Sequence, residues 1–88
     1  MWRLEYSEKA RKQLYKLDPA SRAIILGWMS KNIDSCENPR VHGKGLSSNR
    51  SGEWRYRIGD YRVLCELQDA RVTVLAFNIG HRSGVYKR

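Results

Sequence analysis

A chain of 88 residues holds one domain, spanning 1–88, with no room for separate cofactor and substrate units. Hydrophobic residues at 41% exclude a disordered basic tail, and no apolar run approaches the roughly 20 residues of a membrane span. The net charge of +8, from 17 Lys and Arg against 9 Asp and Glu, points to polyanionic partners and says nothing about fold.

The charge is built into the body of the chain. Residues 1–44 hold nine basic and five acidic side chains, and residues 45–88 hold eight and four, so each half is net +4. The kind of base differs. The first half has four Arg and five Lys, the second seven Arg and one Lys. Arginine presents a planar fork of donors that matches phosphate, so a phosphate-handling surface is expected in the second half. The alternative for any single arginine is a solvated surface charge.

The opening residues alternate, with Trp2, Leu4 and Tyr6 on one face and Arg3 and Glu5 on the other. This is a short strand pattern, not the apolar core of a signal peptide, and a cytoplasmic location is expected. Ser7 stands as a helix N-cap with Glu8 in the first turn. Ala10, Leu14 and Leu17 recur at helical spacing, with Lys9, Arg11, Lys12 and Lys16 around the rest of the wheel. Asp18-Pro19 ends this helix and opens a second as N-cap and N1. Ile24, Ile25, Trp28, Met29 and Ile33 give the second helix a wide apolar face that stops near Asp34.

Residues 40–53 read as a loop containing His42-Gly43-Lys44-Gly45 and Arg50. It lacks the spacing of a phosphate loop. It is either a flexible connector or a basic arm in which Lys44 and Arg50 touch a nucleic-acid backbone. Strands follow. Trp54 to Ile58 alternates, Gly59-Asp60 fits a two-residue hairpin loop, Tyr61 to Leu67 returns, and Gln68-Asp69-Ala70 turns again. Arg71 to Ile79 is apolar on both faces and reads as a central strand, broken by Gly80. The fold class is α+β: a short N-terminal strand and two helices packed on an antiparallel sheet, completed by a three-strand meander.

The hairpin register places Arg57 directly opposite Arg62 and Arg55 diagonal to it, on the face away from the core. Like charges directly opposite are destabilising. Glu53, Asp60 or Glu66 neutralises them, or their long stems splay into water, or the patch awaits an anion with several oxygens. His81 and Arg82 emerge at the same end of the sheet, and Tyr86 follows. Four arginines, a histidine able to exchange protons near neutral pH and a tyrosine thus gather there. No carboxylate cluster accompanies them, so no metal is expected. The two histidines are too few for a His-rich site. Cys36 and Cys65 have no metal-ligand spacing; the spacing leaves a disulfide open, and two reduced thiols are expected.

Trp54-Arg55-Tyr56-Arg57-Ile58-Gly59-Asp60-Tyr61-Arg62-Val63, followed by Ile79-Gly80-His81-Arg82-Ser83-Gly84-Val85-Tyr86, resembles the RelE/ParE toxin superfamily on its RelE side. The resemblance covers essentially the whole chain. It implies the toxin of a type II toxin–antitoxin system, a ribosome-dependent mRNA endoribonuclease that cuts codons in the ribosomal A site. The implied reaction is attack of the messenger's 2′-hydroxyl on the neighbouring phosphate, with neither metal nor cofactor. The implied partners are an acidic RelB-like antitoxin, mRNA in the A site and ribosomal RNA, with no membrane. Arg55, Arg57, Arg62, Arg82 and Tyr86 match the family's site positions. RelE proper has lysines where this chain has Arg55 and Arg57, and a permanently protonated arginine is a poor base. His81 is the candidate for that role; its alternative is to orient Arg82. Lys9, Arg11, Lys12 and Lys16 either hold ribosomal RNA phosphates or form a solvated helix face. A ParE-like inhibitor of DNA gyrase, and a catalytically weakened relative that only binds its antitoxin, are the competing functions, because one fold supports all three.

Overall fold

The computed structural model describes residues 1–46 and 52–81. Arg50, Arg82 and Tyr86 therefore lie outside the described residues. The first strand, β1, is Arg3–Tyr6, and two helices follow, α1 at Glu8–Lys16 and α2 at Pro19–Asn32. A 3₁₀ turn at Pro39–Val41 leads into β2, Lys44–Gly45. β3 is Glu53–Ile58, β4 is Tyr61–Gln68 and β5 is Thr73–His81, with a second 3₁₀ turn at Asp69–Arg71 between the last two.

The helices start where their caps dictate. The Ser7 hydroxyl accepts from the Ala10 N–H at 3.0 Å, and the Asp18 carboxylate accepts from the Ser21 N–H at 3.0 Å. Each satisfies a donor that the first turn would otherwise leave orphaned. Ala10 and Leu14 of α1, with Ile25 and Met29 of α2, turn inward onto Tyr56, Ile58, Val63, Cys65, Val74 and Ala76 of the sheet. The apolar face of α2 is narrower than its composition suggests, since Ile24 is 62% exposed and only one flank of the helix meets the sheet. Cys65 is fully buried and Cys36 half-buried, both as free thiols. Burial pushes the Cys65 thiol up, away from the reactive thiolate.

The sheet order is β1-β5-β4-β3-β2. Three features depart from the sequence expectation. The sheet is mixed, because β1 runs parallel to β5, with Leu4 opposite Val74 and Tyr6 opposite Ala76. The two helices carry the chain from β1 to the far edge of the sheet at β2, and the meander β2-β3-β4 returns it to β5 in the direction of β1. The expected loop 40–53 contains β2, where Lys44 pairs with Arg55 and Gly45 with Trp54. The last strand begins at Thr73 and runs through Gly80 to His81. Its pairing with β4 shifts by one residue between Leu64 and Cys65: Cys65 faces Ala76 whereas Leu64 faces Asn78. Phe77 is thus the extra residue of a bulge, which reverses the in–out alternation beyond it. Val74 and Ala76 reach the core before the bulge and Ile79 reaches it after.

Past the end of β1, the edge of β5 is closed by one side chain. Gln13 of α1 donates through Nε2 to Asn78 Oδ1 at 2.8 Å and accepts through Oε1 from the Ile79 N–H at 2.6 Å. No helix among the described residues is long and apolar enough to cross a membrane.

Candidate nucleic-acid interface

The hairpin register follows from its loop. Gly59 holds φ 60, Ile58 pairs with Tyr61 and Arg57 with Arg62. Alternation then sends Tyr56, Ile58, Val63 and Cys65 into the core, and Arg55, Arg57 and Arg62 to the opposite face. Lys44 joins them, because β2 pairs it directly with Arg55. Four cations on three adjacent strands therefore share one end of one face. Glu53 and Glu66 also pair on that face, roughly 13 Å along the strands from the Arg57–Arg62 pair and about 7 Å from Arg55 at 3.3 Å per residue. Glu66 moreover accepts from Gln68 Nε2 at 2.6 Å. Among the described residues, neither Arg57 nor Arg62 makes an ion pair.

The arginines differ in depth. Arg57 is exposed, Arg55 half-buried and Arg62 only 6% exposed. Arg62 Nη1 donates to the Tyr61 carbonyl oxygen at 3.4 Å, a long contact for a guanidinium. A charge so placed is costly to keep unless something anionic meets it.

The segment 38–45 is strapped onto the sheet beside this patch. Asn38 Oδ1 accepts from the Arg40 N–H at 3.0 Å. The Tyr56 hydroxyl donates to the Pro39 carbonyl at 2.7 Å, and Trp54 Nε1 donates to the His42 carbonyl at 2.6 Å. Gly43, at φ 78, lies so close to β3 that a Cβ there would run into the Arg55 carbonyl oxygen. Arg40 grips Asp69 with both guanidinium nitrogens, at 3.0 and 2.9 Å. The sequence signal for this strap lay in Trp54 and Tyr56: aromatics with polar tips, turned toward a core, require acceptors from some covering segment.

The Arg40 guanidinium holds the Asp69 carboxyl below its ordinary value, chiefly through their hydrogen bonds. A lowered carboxylate adds stability that is complete above its unfolded pKa and is lost as pH falls through its folded pKa. The melting midpoint of wild type should therefore exceed that of Arg40→Ala by a constant amount at neutral pH. That gap should shrink below about pH 4, the ordinary range of aspartate. A gap that does not change down to strongly acid pH would assign the effect to lost packing on Trp54 instead. The gap should be small, because both partners are substantially exposed.

Strap, helix and sheet enclose a cleft of about 360 Å³, lined by Trp28, His42, Gly43, Lys44, Arg55 and Arg57. Trp28 and His42 meet edge to face with ring centroids 5.4 Å apart, and Trp28 leans on Tyr56 at 5.6 Å. Neither Trp28 nor His42 was singled out from the sequence as a site residue. They lie 26 and 12 residues from the hairpin's Trp54, and only the folding of α2 and the strap brings them to it.

His81 reaches the expected end of the sheet, but on the other face. It pairs with Tyr61 and stacks edge-on against its ring at 5.8 Å, on the side of the helices, while Arg62 points away. The Phe77 bulge is the cause: without it His81 would share the arginine face. The helix cations divide. Lys9, Lys12 and Lys16 line a shallow surface with Glu8 and Gln13, where Lys12 pairs with Glu8 at 3.3 Å. Arg11 lies instead with Tyr6, Leu14, Tyr15, Arg22 and Leu26. None of the four lines the cleft beside Arg55 and Arg57. No group of three His, Cys, Asp or Glu able to hold a metal ion occurs among the described residues.

Two helices packed on a mixed five-stranded sheet form an α+β architecture that this chain shares with a class of small toxins. The chain belongs to the family described as "ParE toxin of type II toxin-antitoxin system, parDE", within the RelE/ParE superfamily; the match spans residues 4–86. It is 32% identical over 85 residues to Toxin RelG of Mycobacterium tuberculosis, covering 97% of this chain and 95% of that protein. It superposes on the toxin–antitoxin complex RelBE2 of the same organism with a TM-score of 0.76 and 28% identity, over 93% of this chain and 92% of that one. The isolated RelE toxin of E. coli matches with a TM-score of 0.73 at 18% identity, over 92% and 84% of the two chains. The archaeal RelE–RelB complex of Pyrococcus horikoshii matches with a TM-score of 0.73 at 20% identity, over 94% and 97%, and these last two bear on fold alone.

Proposed function

We propose that this toxin is a ribosome-dependent mRNA endoribonuclease, acting in the cytoplasm and held inactive by an acidic RelB-like antitoxin. The observation that carries the reading is Arg62, a buried arginine directly opposite Arg57, with no ion pair to either among the described residues. A phosphodiester supplies the oxygens that offset the cost of this arrangement, and more strongly so when it gains charge. In the reaction, the 2′-hydroxyl oxygen attacks the adjacent phosphorus and the bond to the 5′-oxygen breaks. The products are a 2′,3′-cyclic phosphate and a 5′-hydroxyl, and the proton lost by the 2′-oxygen is balanced by one gained at the leaving oxygen. Arg57 and Arg55 capture the phosphate at the rim, and Arg62 beneath them stabilises the extra negative charge. Arg82 adds to that stabilisation, and Tyr86 stacks on a base or donates the proton. His81, turned toward Tyr61 on the helix side of the sheet, stands away from the arginine face. Lys9, Lys12 and Lys16 fit ribosomal RNA phosphates as a separate basic surface.

The antitoxin assignment draws on the RelBE complexes and on the net charge of +8. The competing reading, gyrase inhibition, draws on the ParE description of the matched family. Purified toxin added to programmed ribosomes should yield mRNA ends that map within the A-site codon and carry 2′,3′-cyclic phosphates, while free RNA stays intact. Uncut mRNA on translating ribosomes together with loss of gyrase supercoiling would overturn the reading in favour of the second.

A further inference from the structure

We infer that the cleft between the strap and α2 is a nucleobase subsite, in which the Trp28 and His42 rings take the base next to the phosphate held by the arginines. The inference rests on the proposed ribonuclease reading for its ligand, but its observations are separate. The cleft joins two kinds of wall: Lys44, Arg55 and Arg57 on one side, Trp28 and His42 on the other. Cations alone would suit any anion. Aromatic rings beside them, set edge to face at 75°, offer a ring face to an anion that carries a flat ring, which is what a nucleotide is. The volume of about 360 Å³ lies at the lower end of small-molecule sites and is more than a bare phosphate needs.

The wall is also pre-set. Trp28 is braced by Tyr56 from behind, and His42 is fixed by its own carbonyl, which accepts from Trp54 Nε1. Gly43 lets the strap lie flat against β3, so the imidazole stands at the cleft and not above it. Held in this way, the ring pair loses little freedom on meeting a base, and differences between purine and pyrimidine contact become differences in cutting rate. His42 thereby acts as a specificity-determining residue for the messenger.

His42 is the residue to vary, because its structural bond is made by the backbone and survives any side chain. His42→Ala should keep the melting midpoint and antitoxin binding of wild type. It should lower cleavage on programmed ribosomes about 10-fold and flatten the preference among A-site codons. His42→Phe, which keeps a ring but carries no proton, should restore both rate and preference without changing the pH profile. In parallel, a dinucleotide blocked by 2′-O-methylation should shift the Trp28 indole N–H resonance, whereas inorganic phosphate should not. Wild-type rate and codon preference in His42→Ala would overturn the subsite. So would a His42→Phe variant as impaired as His42→Ala with an altered pH profile, since the ring would then be acting on protons. Failure of the wider reading is distinct: Arg57→Ala and Arg62→Ala would both cleave like wild type.

Discussion

Arg62→Ala is expected to slow A-site cleavage by about 10²–10³-fold, the loss that follows removal of one fixed donor from a developing anion. The position of Arg62 sets this expectation. The residue is only 6% exposed, and its directly opposite neighbour on β3 is another arginine. In such surroundings the interaction with a dianionic transition state is less screened than at the exposed Arg57, where substitution should cost only about 10-fold. A structural role predicts something different for stability. If Arg62 served the fold, its removal would lower the melting midpoint together with activity. The opposition of two cations across the strands makes the reverse expected: Arg62→Ala should be as stable as wild type or more stable, by up to about 1 kcal/mol. Single-turnover cleavage and thermal unfolding of the same preparation separate the two accounts. Arg62→Lys should recover only part of the rate, because it restores charge without the two-pronged donor geometry. Full activity in Arg62→Ala would remove the site from this face of the sheet.

Much of this site was legible in the residues before folding, and the parts that were not have identifiable causes. The hairpin was readable because side-chain alternation and a two-residue loop are local rules; together they fix which face Arg55, Arg57 and Arg62 share. The two helices were readable from Ser7 and Asp18-Pro19, whose caps act within one turn. Three things depend on distant contacts and escaped. The parallel pairing of β1 with β5 is set by a crossover, and a four-residue alternating strand reads the same in either direction. The bulge at Phe77 has no glycine or other local mark, and it alone moves His81 to the opposite face from Arg62. The strap 38–45 is polar and glycine-containing like any connector. Its order comes from acceptors it lends to Trp54 and Tyr56, residues read from the sequence only as core. The one site feature lost with the strap was the aromatic wall, because Trp28 belongs by spacing to the core face of α2, and His42 to a loop.

Gly43→Ala should do more damage than its size suggests, and in a particular place. The backbone there is left-handed, at φ 78, which costs an L-residue roughly 1–2 kcal/mol. The new Cβ would also meet the Arg55 carbonyl oxygen, a backbone atom of β3 that cannot swing aside, with Trp54 Nε1 and Tyr56 Cδ1 close behind. Strain of both kinds is relieved in one movement, the lifting of residues 42–45 from the sheet. That movement gives up the Trp54–His42 hydrogen bond and the two-residue pairing of β2, worth about 1 kcal/mol per bond. The cost of the substitution is therefore limited to about 2–3 kcal/mol, because lifting the strap is cheaper than enduring the overlap. For a domain of this length the melting midpoint should fall by roughly 10–20 °C. The core of Ile25, Met29, Val63 and Val74 does not involve the strap, so the variant should still fold at 25 °C. Cleavage should drop beyond what the unfolded fraction explains, since Lys44 and His42 would leave the cleft while Arg57 and Arg62 stay. Gly59→Ala supplies the control: the same left-handed strain at φ 60, but no atom within 4 Å of the added Cβ. It should lose about 1–2 kcal/mol and keep full cleavage where folded. Equal losses of activity per folded molecule in the two variants would mean that strap contact with β3 does nothing for the site.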